Sequence, residues 1–207
     1  MNNIDKILKL ASFFFKESAK IDPISSVKTP EELKSMEDIE EEAFSKYRGY
    51  YTSDAEEIAD DLEQPGATGF ALRDDDNKLV GYLYGYDFIV EDNWEDVDPE
   101  DTMNEWFVDN HEEEIEKFLE AANNSKVFYI TNLAILSKHG SNFLGLILSL
   151  KKKLRDENYQ YIVLGALSDS FRLIREGGPG LLRRLGVKPI IRRQEDDQMI
   201  YVMKMIY

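Results

Sequence analysis

With no cysteine and only two histidines, His111 and His139, the chain lacks the side chains that most often do chemistry. Thiolate metal sites, cysteine nucleophiles and multi-histidine zinc centres are all excluded, and no metal site is expected. What remains is charge, hydroxyls and backbone. Among the 207 residues, 41 Asp and Glu outweigh 25 Lys and Arg, for a net charge of −16. The imbalance is not uniform. Residues 1–137 hold 12 basic and 34 acidic residues, a net of −22, whereas residues 138–207 hold 13 basic and 7 acidic, a net of +6. The segment Glu91–Glu116 has 13 acids and neither Lys nor Arg. Summed carboxylates raise the local concentration of cationic ligands, although such a run also serves simply as a solvated insertion. The basic counterpart includes Lys138, Lys151, Lys152, Lys153 and Arg155. It can meet a phosphate-bearing ligand, or it can be the wet face of a helix. The acidic excess argues against double-stranded nucleic acid as a partner, because it repels phosphates.

These groups need elements to position them. A hydrophobic fraction of 43% and 24 Phe, Trp and Tyr residues supply a real core, so wholesale disorder is excluded. No apolar run reaches the roughly 20 residues of a membrane span, and the first residues do not read as a secretory signal. The expectation is a cytoplasmic domain with no membrane partner. Residues 1–24 read as an amphipathic helical arm, with Ile4, Ile7, Leu8, Ala11, Phe14 and Phe15 at helical spacing. Asp22-Pro23 breaks it. Thr29-Pro30-Glu31-Glu32 predicts a helix start running to about Phe44, and Ser53 with Glu56 predicts a second, to about Leu62. The period then changes to that of strands: Thr68–Arg73 and Leu79–Ile89 flank the polar turn Asp74–Asn77. After the acidic insertion, spanning 91–123 with a helix from about Asn110, come strand Lys126–Leu136, helix Phe143–Asp156 and strand Tyr159–Leu167. A helix at Ser168–Arg175, a glycine-rich break at Gly177–Gly180, and strands Val187–Arg193 and Gln198–Ile206 complete the chain. A strand–helix–strand unit between hairpins predicts an α/β fold built on a mixed sheet flanked by helices.

The order and several residue patterns resemble the GNAT N-acetyltransferase superfamily over residues 25–207. They are Gly69–Arg73 followed by Lys78-Leu79-Val80-Gly81-Tyr82, then Tyr129-Ile130-Thr131-Asn132-Leu133-Ala134-Ile135, and finally Leu182-Arg183-Arg184-Leu185-Gly186-Val187. The resemblance implies a sheet of six to seven strands, with the acidic insertion between the third and fourth. It also implies acetyl-CoA, or another acyl-CoA, as co-substrate.

Site residues follow from that resemblance. Leu133 and Ile135 on the central strand would line the cofactor, with the Ile135 N–H polarising the thioester carbonyl. His139, Gly140, Asn142, Phe143, Leu144 and Gly145 occupy the stretch where family members cradle the pyrophosphate on amides at a helix N-terminus. The pattern there is eroded. Gly140 stands where the family has Arg, and Phe143 stands at its first Gly; Gly145 alone matches. The family's general-acid Tyr aligns with Leu182, leaving Ser168 and Ser170 as candidates to protonate the departing sulfur. Asp87 and Glu91, at the end of the third strand, are the candidate bases for the amine.

The resemblance therefore implies direct N-acyl transfer to a primary amine, with the acidic insertion favouring a cationic small molecule or peptide. The alternative is a GNAT-like domain that no longer catalyses and serves as a binding or assembly module. In that case the apolar arm, with Phe13-Phe14-Phe15, would mediate a homodimer or a protein contact.

Overall fold

A computed structural model describes residues 19–27, 29–45, 52–88, 112–124, 126–167, 187–195 and 198–206. The predicted arm helix, most of the acidic insertion, Glu91, His111, the helix at 168–175 and the 177–186 segment lie outside the described residues. The chain divides into two units, Met1–Tyr86 with Asn132–Lys153, and Asp87–Thr131 with Leu154–Tyr207.

In the first unit, strand β1 (Lys20–Pro23) and a 3-10 turn (Ile24–Ser26) precede helix α1 (Pro30–Phe44). Thr29 caps α1, its hydroxyl accepting from the Glu32 N–H at 3.2 Å. Pro30 and two acids fill the first turn, as the sequence predicts. Helix α2 (Ala55–Glu63) starts one residue later than expected. Asp54, not Ser53, is its cap, accepting from the N–H groups of Glu56 and Glu57 at 2.9 and 3.0 Å, while Glu57 closes the capping box. An ionised acceptor outcompetes a hydroxyl for these donors, and Ser53 is left for another partner.

Strands β2 (Thr68–Arg73) and β3 (Leu79–Asp87) form the predicted hairpin, in register from Thr68↔Gly85 to Arg73↔Leu79. The Asp74 carboxylate accepts from the N–H groups of Asp76 and Lys78, and Asn77 takes the left-handed conformation at φ 62°. Gly69 is dictated by packing, since a Cβ there would lie 2.2 Å from the Leu83 carbonyl oxygen. β1 pairs antiparallel with β2 from Lys20↔Arg73 to Pro23↔Phe70. This strand corrects the bounds of the helical arm expected over residues 1–24: Lys20–Pro23 is extended and paired, and proline is tolerated at the end of an edge strand. Arg73 secures the edge. Its guanidinium reaches Glu32 at 2.5 Å and Asp22 at 3.7 Å. The unit's core includes Met36, Ile39, Ile58, Leu72, Tyr82, Leu83, Tyr84, Ala134 and Leu146.

The second unit contains helix α3 (Glu112–Asn123) and strands β5 (Tyr161–Leu167), β6 (Val187–Glu195) and β7 (Gln198–Met205). Strand β4 (Val127–Ile135) begins here and ends in the first unit. Phe88, Phe118, Val127, Tyr161, Val163 and Val202 form the apolar core, with the Phe118 and Tyr161 rings edge to face at 5.6 Å. β5 and β6 each pair antiparallel with β7. β4 and β5 are parallel from Val127↔Tyr161 to Ile130↔Leu164, the last registered pair. Among the described residues the hydrogen-bonded strand order is β1-β2-β3-β4-β5-β7-β6, a seven-stranded mixed sheet in which β4 and β5 are parallel. Helix α4 (Phe143–Asp156), at its predicted bounds, links β4 to β5. Among the described residues, no helix is long and apolar enough to cross a membrane.

Candidate functional site

The first unit gathers every residue expected to hold the cofactor. Along β4, Asn132, Ala134 and Leu136 are buried, while Leu133 and Ile135 are partly exposed, the alternation that a strand imposes. Gly81 on β3 passes close to this end of β4. A Cβ there would lie 3.0 Å from the Ile135 side chain and 3.1 Å from the Ala134 carbonyl. The Leu136 N–H donates to the Val80 carbonyl at 3.0 Å, fixing the point where strand gives way to helix.

Winding then begins earlier than α4 itself. Ser137–Asn142 is a 3-10 helix that runs directly into α4. The His139 N–H donates to the Leu136 carbonyl at 2.8 Å, and the Phe143 N–H donates to Gly140 O. The Phe143 amide is thus engaged within the winding. Ser137 and Lys138 carry the amides ahead of the first bonded one. His139 and Asn142 are buried, and the Asn142 side-chain amide ties back to the His139 carbonyl at 3.3 Å. Ser137, Lys138, Gly140 and Ser141 are exposed, and a Cβ at Gly140 would meet nothing within 4 Å. Phe143, Leu144 and Gly145 are partly buried. Gly145 has a packing reason, since a Cβ would come within 3.0 Å of the Ile21 side chain on β1.

Beside this strand lies a group that sequence reasoning missed. Glu40 of α1, 1% exposed, accepts from the Tyr82 hydroxyl at 2.8 Å, the Asn132 side-chain amide at 2.7 Å and the Ser53 N–H at 3.4 Å. Loss of hydration raises its carboxyl above the usual range, and the three hydrogen bonds only partly offset that. Next to it, the Tyr84 hydroxyl donates to Asp61 of α2 at 3.1 Å, and the Tyr82 and Tyr84 rings stack at 5.9 Å. Burial raises Asp61 as well, and it pushes the Tyr84 phenol far up. One sequence signal pointed here. Glu40 follows Met36 and Ile39 on the apolar face of α1, whereas Glu41 and Glu42 are exposed.

Asp87 belongs to the second unit. Its carboxylate accepts a short hydrogen bond from the Tyr159 hydroxyl, and burial together with that bond raises the phenol. In the same unit, Thr131 directly follows the last registered β4–β5 pair, and its buried Oγ1 has no hydrogen-bond partner. Glu91, Ser168 and Ser170 lie outside the described residues. No group of three or more potential metal ligands occurs among the described residues.

No protein-family model and no curated protein matches the sequence. Solved structures do match. An N-acyl amino acid synthase, FeeM, from uncultured soil microbes superposes with a TM-score of 0.57 at 14% identity, covering 92% of each chain. An acetyltransferase of the GNAT family from Staphylococcus aureus gives 0.54 at 11% identity, covering 90% of this chain and 99% of that one. An aminoglycoside 6'-N-acetyltransferase complexed with coenzyme A gives 0.52 at 15% identity, over 89% and 95% of the two chains. Sequence identities this low speak to architecture alone: the chain has the GNAT fold.

Proposed function

We propose that the protein transfers an acyl group, acetyl in the simplest case, from acyl-CoA to a primary amine of a cationic acceptor. The observation that carries this reading is the junction in the first unit. A strand of the GNAT sheet ends at Ile135 and passes at once into a helical turn whose exposed face holds Ser137, Lys138, Gly140 and Ser141. Amides at the start of a helical turn, one lysine and an unobstructed glycine form a donor set suited to a diphosphate. Leu133 and Ile135 would lie along the pantetheine arm, and His139 and Asn142 would hold the turn in shape. The likeness to an aminoglycoside acetyltransferase and an N-acyl amino acid synthase supports an amine acceptor. The acids of Glu91–Glu116 support a cationic one.

Without a cysteine the acyl group has no thiol to rest on, so transfer is direct. The amine nitrogen attacks the thioester carbonyl carbon, the C–N bond forms and the C–S bond breaks. The amine proton passes to a carboxylate, for which Asp87 and Glu91 are candidates, and one proton returns to the departing thiolate by way of Ser168 or Ser170. That hydroxyl hands a proton to sulfur as it takes one back from the acid through solvent, so that the carboxylate and the hydroxyl are both regenerated. Calorimetric titration with acetyl-CoA, followed by thiol-release assays with a polyamine, an aminoglycoside and a lysine-rich peptide, tests the reading. Saturable binding and release of coenzyme A with at least one amine are expected. Absence of binding at millimolar acetyl-CoA removes the enzyme reading. That outcome would favour the second one, a GNAT-like binding or assembly module, for which the eroded turn is the argument: Phe143 stands at a family glycine and its amide is already bonded to Gly140.

A further inference from the structure

Glu40 places a carboxylate in the core of the first unit, where a neutral side chain would lose less hydration. Its carboxylate is 1% exposed, and among the described residues no cation pairs with it; its partners there are a phenol, an amide and a backbone N–H. An unpaired buried carboxylate loses more hydration than a neutral isostere would. Its chemistry nevertheless fits the place. All three partners donate, and an ionised carboxylate is the side chain that only accepts. Protonation would turn one oxygen into a donor facing donors. The carboxylate joins α1, the residue before the α2 cap, β3 and β4. The β4 partner, Asn132, immediately precedes Leu133–Ile135.

We propose that Glu40 is the positioning residue of the acyl-transfer site: in its ionised form it holds Asn132, and through it sets the path of the Leu133–Ile135 backbone whose amide polarises the thioester. The assignment rests on the acyl-transfer reading. Among the described residues the titratable groups facing Glu40 are Tyr82 and Tyr84 on β3 and Glu57 on α2. Glu57 adds like charge and Tyr82 a stabilising hydrogen bond.

The test compares wild-type protein with Glu40→Gln in acetyl-CoA binding and in the pH profile of kcat with the best amine. Wild-type kcat should fall on the acid side at a pH above the ordinary carboxylate range, as Glu40 takes up its proton. Glu40→Gln should bind acetyl-CoA within about twofold of wild type, lose that acid-side step, and show kcat reduced about 10- to 100-fold, as expected of a misplaced reacting group. A variant with wild-type kcat and an unchanged acid-side step overturns the proposal. If Glu40→Gln does not fold, Tyr82→Phe decides. Removing one donor should move the acid-side step to higher pH, and an unmoved step overturns the assignment. Wild-type protein that binds no acetyl-CoA overturns the acyl-transfer reading itself, and this assignment with it, before any variant is made.

Discussion

The hydroxyl of Tyr82 and the carboxylate of Glu40 meet at 2.8 Å across 42 positions of sequence, inside a core that leaves Tyr82 fully buried. The bond ties helix α1 to strand β3, and Asn132 extends the tie to β4 at 2.7 Å. Removing the phenolic oxygen leaves a buried charge with one donor fewer. Tyr82→Phe should therefore cost about 1.5–3 kcal/mol, the range for hydrogen bonds to charged groups. Denaturant unfolding reads this directly. A loss within experimental error would mean that the carboxylate is satisfied by its other two donors.

Alkaline stability carries a second signature. The folded chain holds the phenols of Tyr84 and Tyr159 neutral well beyond their usual value near 10, chiefly because they are buried. A group with a raised folded pKa contributes stability that is complete below its unfolded pKa and is lost as pH climbs toward the folded one. Stability should hold up to about pH 10 and decline above it. Absorbance titration at alkaline pH should show these two tyrosines ionising only as the chain unfolds. Reversible ionisation of every tyrosine below the unfolding transition would contradict the burial described.

Arg73 offers a test of the sheet edge. It is 7% exposed, bonds Glu32 and the Asn77 carbonyl, and sits 3.7 Å from Asp22. Arg73→Ala removes the close ion pair with Glu32 and leaves Asp22 its contact with Lys20 at 2.9 Å, so a cost of about 1–3 kcal/mol is expected, below that of breaking a wholly buried pair. Hydrogen exchange should quicken first in Lys20–Pro23, whose only sheet neighbour among the described residues is β2. Unchanged protection of β1 would show that the strand is held by its backbone ladder alone.

Thr131 separates stability from function. Its buried hydroxyl oxygen has no partner, a condition that costs about 1–3 kcal/mol. Thr131→Val, close to isosteric, should therefore raise the unfolding temperature. If the hydroxyl serves the acceptor, the same change should raise KM for the amine and leave acetyl-CoA affinity alone. A destabilised variant would mean that the oxygen is bonded after all.

Most of the architecture was legible because it rests on local chemistry. The Thr29-Pro30 cap, the Asp74 turn and the nearly continuous apolar run of Val127–Ile135 each specify their element within a few residues. Strand β1 was not, because its four residues are held by pairing with the four from Phe70 to Arg73, some 50 positions away in sequence. The cap of α2 slipped by one residue because Ser53–Glu56 and Asp54–Glu57 carry the same spacing, and the choice fell to the stronger acceptor. The candidate site was legible as a backbone junction after β4. The buried network was only half legible: helical spacing puts Glu40 on the apolar face with Met36 and Ile39, but nothing local points to its partner Asn132, 92 positions on.

Hydrogen exchange of the backbone amides with and without acetyl-CoA tests the central claim most directly. If the turn after β4 receives the diphosphate, saturating acetyl-CoA should slow exchange across Leu133–Gly145, most strongly at Ser137 and Lys138, and leave β6 and β7 unchanged. Exchange in that stretch that is identical with and without millimolar acetyl-CoA would contradict the acyl-transfer account and leave the GNAT fold without its chemistry.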